Sequence, residues 1–381
     1  MALTLAVVTE TWPPEINGVA HTIAQLVHRL HSEFGYCVQL IRPRQSQQDQ
    51  ASVRPDFSEH LVASWRLPFY PQVRLGAPAA YLLYRLWKQQ RPDVVQIVTE
   101  GPLGYAALWI AQTLKIPVIS DFHTHFDQYS DYYRLGIFKN LASRYLRSLH
   151  NQTLFTLVPT QSLCQYLSTK GYKNLALLAR GIDADLFNPN QRSNALRQRL
   201  GVSNTDLLVV LVARLAHEKN LDLAFQAFQR LQHTQPNAQF LVVGDGPERS
   251  RLQKTYPFAH FAGMQTGVAL AQHYASGDLF LYPSLSETFG NVITEAMASG
   301  LPVVAFNYAA AQEHIQHEVN GWVVPFGDHA AFIEQTLQAA QASHRATIAT
   351  HARATALTLD WYQVTEQLHQ LLQQAATTKL Q

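Results

Sequence analysis

Short apolar runs recur along the chain, each followed by a stretch whose apolar positions return every three to four residues. In the first half the runs fall at 3–8, 38–41, 94–98, 118–120 and 155–159. Unbroken runs of Val, Ile and Leu at this length fit strands buried on both faces of a parallel sheet. The amphipathic stretches predict helices over 19–31, 77–90, 104–114, 141–153 and 161–170. Between 45 and 59 the chain is rich in Gln, Ser and Asp and reads as a long loop. After 181–189 (GIDADLFNP) the pattern restarts, with strands expected at 207–212, 239–243, 278–282 and 302–305 and helices at 221–233, 267–275 and 291–299. The alternation predicts an α/β protein made of two doubly wound parallel-sheet units, without a short-period repeat. Ligands of such sheets sit beyond the carboxyl ends of the strands, so a central cleft faced by both sheets is the expected site.

Composition sharpens this picture in a few places. A chain of 381 residues exceeds what one core usually serves, which also argues for two domains. With 47% apolar and 15% charged residues it is globular, and disorder is expected only over 375–381. Two cysteines, Cys37 and Cys164, lie far apart and make no disulfide framework, which fits a reducing compartment. Residues 1–8 lack a basic n-region and read as a strand, not a signal peptide. No run approaches the roughly 18 apolar residues of a membrane span. A soluble cytoplasmic protein is therefore expected, with binding to a membrane surface left open. The net charge of +2 is too small to point to nucleic acid. The first 188 residues carry 17 basic and 13 acidic side chains (17 − 13 = +4), and the remainder 12 and 14 (12 − 14 = −2). The positive surface therefore belongs to the first half.

Three strand-to-loop junctions carry candidate chemistry. The first, TETWPPEINGV at 9–19, places Glu10, Trp12 and Asn17 ahead of a helix, with Gly18 where backbone N–H groups can meet an anion. An ordinary βα turn accounts for the Asn-Gly pair equally well. The second follows an apolar strand with Arg214 and Lys219, a planar fork of donors and a point charge that together suit a diphosphate. Its bland alternative is a solvated loop in which Arg214 pairs with Glu218. The third is the densest, running from Pro283 to Gly300. Glu287 lies in a loop, Phe289-Gly290-Asn291 opens a helix, and Glu295 lies one turn beyond Asn291. A helix start carries about half a positive charge, so it can hold phosphate while the two carboxylates accept from sugar and ribose hydroxyls. Simple capping would need only one acid, which favours the binding reading here.

In this order the motifs resemble glycosyltransferase family 4, the retaining GT-B enzymes. Residues 286–300 resemble its E-x7-E run, Arg214 and Lys219 its diphosphate pair, and Asn17-Gly18 its N-terminal glycine loop. Val243-Gly244-Asp245-Gly246-Pro247 resembles the turn that frames the nucleotide base, and Asp121-Phe122-His123-Thr124-His125 the short motif whose first His contacts the transferred sugar. The matches span residues 9–325. This chain departs from the family in having one glycine, Gly18, in the first loop, and Ala213 and Asn220 where glycine is frequent.

The resemblance implies an N-terminal acceptor-binding domain over 1–185, a C-terminal nucleotide-sugar domain over 186–360, and a helix at 361–381 packing back toward the first. It implies Arg214, Lys219, Glu287 and His123 as the catalytic set, with Gly18, Gly244, Gly246, Phe289, Gly290, Asn291 and Glu295 binding the donor. Glu10, Trp12 and Asn17 would then line the acceptor side. No cofactor or metal is implied, although His123 and His125 with Asp121 and Asp127 leave a metal reading open. The implied reaction moves a hexosyl group from a nucleoside-diphosphate sugar, GDP-mannose or a UDP-hexose, to an acceptor hydroxyl by front-face substitution with retention. Residues 129–149 mix Arg134, Lys139, Arg144 and Arg147 with Tyr132, Tyr133, Phe138, Leu141, Tyr145 and Leu149. Such a helix fits either an anionic membrane interface or a core contact with a solvated basic face. With glycolipid-forming enzymes among the proteins resembled, a membrane lipid is the acceptor favoured, reached at the inner face of the membrane. A nucleotide-sugar epimerase and a non-catalytic sugar-nucleotide-binding subunit are the rival readings.

Overall fold

The computed structural model describes residues 2–67, 70–123, 136–203 and 205–378, with the backbone alone at 66–67, 70–73 and 136–139. The chain divides into two units, Met1–Arg180 with Trp361–Gln381, and Gly181–Asp360. The break therefore falls at 180/181, where the sequence pointed to 185/186.

The first unit is built on β1 (Thr4–Val8), β2 (Cys37–Pro43), β3 (Val53–Arg54), β4 (Phe57–Val62), β7 (Val94–Ile97), β8 (Val118–Asp121), β9 (Phe155–Val158) and β10 (Leu175–Leu177), with a separate hairpin of β5 (Ser64–Leu67) and β6 (Tyr70–Gly76). The large sheet runs β10-β9-β8-β7-β1-β2-β4-β3, parallel throughout except for β3 against β4. Side chains of β1 alternate between two cores, as the pleat requires. Leu5 and Val7 pack with Leu26 and Leu30 of the helix Gly18–Ser32 and with Trp361, Leu368 and Leu372 of the helix Trp361–Thr377. Ala6 and Val8 face Leu83, Trp87, Leu103 and Ala107 on the other side. The terminal helix continues to Thr377 with Ala375 fully buried, so order extends past the point where composition loses its apolar content.

The expected loop at 45–59 instead holds β3 and the start of β4. Strand β4 adds to β2 in parallel register and buries only Phe57 and Val62 fully. Its Glu59 joins Asp49 in neutralising the buried Arg42, at 2.7 Å each.

The second unit carries β11 (Leu208–Val212), β12 (Gln239–Val243), β13 (His260–Gly263), β14 (Leu279–Tyr282), β15 (Val303–Phe306) and β16 (Trp322–Val324), ordered β13-β12-β11-β14-β15-β16 and all parallel. Strand order reverses between β1 and β7 in the first unit and between β11 and β14 in the second. The loops after those strands open onto the crevice at which doubly wound sheets bind ligands. They are the loops that hold Glu10, Glu100, Arg214 and residues 283–290.

Candidate functional site

In the second unit the chain leaves the buried strand β11 at Ala213 and makes one 3-10 turn, His217–Lys219. Arg214 stands before that turn and Lys219 ends it. Asn220 then adopts the left-handed conformation (φ 51°, ψ 40°) from which the helix Leu221–Gln232 starts. Asparagine tolerates that conformation better than other non-glycine residues, so it fills the place of a glycine without rearranging the turn. Lys219 reaches across to the loop after β14, donating to the Ser286 carbonyl (3.0 Å) and to Glu287 Oε1 (2.5 Å). The same Oε1 accepts from the Tyr282 hydroxyl (2.5 Å) and the Ser284 hydroxyl (2.7 Å). Glu287 Oε2 takes no bond among the described residues and remains an acceptor for an incoming hydroxyl.

Arg214 pairs with Glu218, whose side chain is buried while that of Arg214 is 40% exposed. The bland reading of this loop therefore describes a real contact, but it does not close the site. A buried carboxylate holds one end of the guanidinium, and the side chain stays partly open to solvent.

Gly290 (φ 98°) turns the chain into the helix Asn291–Ala298, which has no side-chain cap. The Ile293 N–H bonds the Gly290 carbonyl (3.0 Å), and among the described residues those of Asn291 and Val292 take no acceptor and can meet an anion. Phe289 itself is buried against His314, so its part is played by backbone alone. Glu295 accepts from the Tyr274 hydroxyl at 2.8 Å through Oε2, and burial pushes its carboxyl up to about 7. Tyr274 is a residue that no motif marks. A tyrosine on a helix face buried among Phe187 and Phe280 must find a partner for its hydroxyl, and that requirement was the available signal.

Gly244 and Gly246 sit against the backbone that carries Arg214. A Cβ on Gly244 would lie 1.9 Å from the Ala213 carbonyl oxygen, and one on Gly246 2.3 Å from that of Leu215. Ala213 donates to Val243 O (3.1 Å) and Leu215 to Asp245 O (2.9 Å), locking the two loops together. Within this unit the glycines act as the packing surface that fixes the arginine loop.

The first unit gathers its polar residues at the ends of β1, β7 and β8. Asn17 caps the helix Gly18–Ser32, accepting from the Ala20 N–H at 2.8 Å, and Gly18 is exposed in its first turn. Trp12, expected on the acceptor side, is buried and packs on His28 because its indole completes the core under that helix. Glu10 turns inward, accepting from the Gly76 N–H (3.2 Å) and from the Leu103 N–H (3.3 Å) at the start of the helix Pro102–Thr113. Burial pushes its carboxyl up to about 7. At the end of β8, Asp121 is buried and accepts from Gln96 (2.8 Å), and burial raises it to about 6. His123 follows it, with Arg180 donating to its Nδ1 at 3.0 Å. Thr124, His125 and Asp127 lie outside the described residues; among the described residues no three His, Cys, Asp or Glu side chains cluster as a metal site would need. Cys37 and Cys164 are both free thiols.

Two doubly wound sheets, with a lysine, a carboxylate loop and an uncapped helix start meeting at the switch point of the second, define a GT-B nucleotide-sugar enzyme. Comparison with known proteins makes the class specific. Residues 16–186 match the family model described as Glycosyltransferase Family 4, and residues 206–342 the one described as Glycosyl transferases group 1. A GDP-mannose-dependent alpha-mannosyltransferase of Mycobacterium tuberculosis is 31% identical over 329 residues, covering 85% of this chain and 84% of that one. An alpha-monoglucosyldiacylglycerol synthase of Acholeplasma laidlawii is 26% identical over 321 residues, covering 79% of each. Among solved structures, HepE of Anabaena in complex with UDP and glucose superposes with a TM-score of 0.76 at 19% identity, over 98% of this chain and 100% of that one. The chain belongs to glycosyltransferase family 4: it is a hexosyltransferase that draws on a nucleoside-diphosphate sugar.

Proposed function

We propose that the enzyme transfers a hexosyl group, with retention, from GDP-mannose or a UDP-hexose to a hydroxyl of a membrane lipid at the cytoplasmic face. The observation that carries the donor half is the junction of Lys219 with Ser286 and Glu287 just ahead of the uncapped helix at Asn291. On this reading Arg214, Lys219 and the helix start hold the charge that develops on the departing diphosphate, the largest part of the catalysis. Glu287 Oε2 reads a sugar hydroxyl, Glu295 reads the ribose, and His123 contacts the transferred sugar. The acceptor attacks the loosened anomeric centre on the side from which the phosphate leaves, and a phosphate oxygen takes its proton. No metal ion or other cofactor takes part.

The lipid half rests on relatives and on surface chemistry. The mycobacterial relative is named for GDP-mannose and the Acholeplasma one for a diacylglycerol product. Among the described residues no helix is long and apolar enough to cross a membrane. The helix Gly136–His150 exposes Leu141, Arg144 and Tyr145, while Leu146 and Leu149 are buried in the core. Tyr145 packs on Tyr105 (5.9 Å between rings), one turn from Trp109 on the helix Pro102–Thr113, and Tyr105 and Trp109 are both more than half exposed. Aromatic rings beside a cation suit an interface where one end of each side chain stays wet. Of the other residues in this stretch, Arg134, Tyr132 and Tyr133 lie outside the described residues, as do the side chains of Lys139 and Phe138.

One experiment tests both halves. The enzyme is mixed with vesicles containing diacylglycerol and anionic lipid, and release of nucleoside diphosphate is followed with GDP-mannose or UDP-glucose in excess chelator. Lipid-dependent release from one donor, with co-flotation of the protein, is the expected result. Release without lipid and without flotation would mean a soluble acceptor, and loss of activity in chelator would mean a metal-dependent site.

Glu295 supplies a separate prediction. With its carboxyl at about 7 in the free protein, a ribose hydroxyl that donates to the carboxylate must displace a proton as the pH falls. Donor affinity is expected to drop below pH 7, approaching about tenfold per pH unit. Glu295→Gln should bind more weakly at high pH with this dependence lost. Calorimetry with the intact donor sugar, which has no terminal phosphate to titrate, measures it. An unchanged pH profile in the variant would place the ribose elsewhere.

A further inference from the structure

Arg180 ends the first unit and is nine-tenths buried, yet no motif marks it. Its Nη2 lies 3.0 Å from His123 Nδ1. A guanidinium only donates, so Nδ1 must accept through its lone pair. That leaves the imidazole neutral with its proton on Nε2. Nε2 is shielded from solvent and has no hydrogen-bond partner among the described residues. Asp121 Oδ2 stands 3.9 Å from it, too far for a hydrogen bond. A buried donor left unpaired costs about 1–3 kcal/mol, which a folded protein tolerates when a ligand is meant to complete it.

We infer that Arg180 is a positioning residue: it fixes His123 as the neutral Nε2–H tautomer, so the ring offers the transferred sugar a donor for a hydroxyl oxygen. This rests on the sugar contact of His123 in the proposed function and adds what sets its polarity. Among the described residues the charged and titratable groups around the ring are Arg180, Asp121 and His150, with Glu100 acting on Asp121. Burial, with the charges of Arg180 and His150 adding to it, keeps the imidazole well below its usual 6.5. Asp121 alone would draw a proton onto the ring. By donating to Nδ1, Arg180 decides which tautomer the sugar meets on a ring that burial already holds neutral.

The test is nitrogen-15 NMR of the full-length enzyme labelled at histidine, with His123 assigned by its loss in His123→Ala. The free enzyme should show a pyridine-like Nδ1 and a pyrrole-like Nε2 at this residue, unchanged from about pH 5 to about pH 8, where ordinary imidazoles titrate. Arg180→Met should let the Nδ1–H tautomer appear in the spectrum and lower kcat/KM about tenfold, the worth of one well-placed hydrogen bond. Arg180→Lys, which still only donates, should restore the wild-type spectrum and most of the activity. A protonated Nδ1, or ordinary titration, in the unaltered enzyme overturns the inference, and needs no variant to fold. The expected spectrum combined with undiminished kcat/KM in His123→Ala overturns the sugar contact instead, and leaves the donor site at Lys219 untouched.

Discussion

Turnover is expected to fall about 10²–10³-fold in Lys219→Ala and in Arg214→Ala, the usual effect of removing one preorganised donor from a developing oxyanion. The two losses should differ in kind. Lys219 is held by Ser286 O and Glu287 Oε1, and among the described residues its removal leaves Glu287 with the Tyr282 and Ser284 hydroxyls. An uncompensated carboxylate beside a diphosphate repels it, so Lys219→Ala should also weaken donor binding. Arg214→Ala strands Glu218, whose side chain is buried and whose Oε2 already lacks a partner among the described residues. Some stability should go with it, and the double variant Arg214→Ala/Glu218→Gln should recover the melting temperature without recovering turnover. The measurements are turnover at saturating donor, with circular dichroism and thermal melting as controls. Near-wild-type turnover in either single variant would remove the diphosphate site from this loop.

How much of this was legible in the chain varies with burial. Strands such as β11 (Leu208–Val212) declare themselves because every residue faces a core, and an unbroken apolar run of that length suits a strand covered on both faces. Strand β4 does not, because only the two-residue β3 lies outside it, which lets Ser58, Glu59 and His60 stay half-buried and polar among residues that read as loop. β13 and β16 are edge strands of four and three residues, too short to show a period. The site follows the same rule. Arg214, Lys219, Glu287 and Glu295 stand at strand ends and helix starts, where charge after an apolar run is conspicuous. Their supports, Tyr274 under Glu295 and Arg180 behind His123, are separated from them by 21 and 57 residues. Only the fold brings them together. Trp12 shows the converse error: an aromatic in a promising loop can simply be core.

Gly244→Ala is expected to destabilise the second unit by about 3 kcal/mol or more, combining backbone strain of roughly 1–3 kcal/mol with a steric clash. Gly244 has φ +129°, and its Cβ would stand 1.9 Å from the Ala213 carbonyl oxygen. That oxygen is backbone, held by the bond from Ala213 N to Val243 O and the bond from Leu215 N to Asp245 O, so it cannot swing aside as a side chain would. To admit the methyl group, the loop after β12 must separate from the loop after β11, and Arg214 moves with it. Donor affinity should therefore fall together with stability, although Gly244 carries no side chain to touch a nucleotide. Gly201→Ala is the matched control: its φ is +69°, but nothing lies within 4 Å of the added Cβ. It should cost only the conformational penalty, on the order of 1 kcal/mol, and leave donor binding alone. Urea unfolding of both variants, read beside calorimetric donor affinity, separates strain from close approach. Equal costs in the two would show that the loops have room between them, and that Gly244 does not set the position of Arg214.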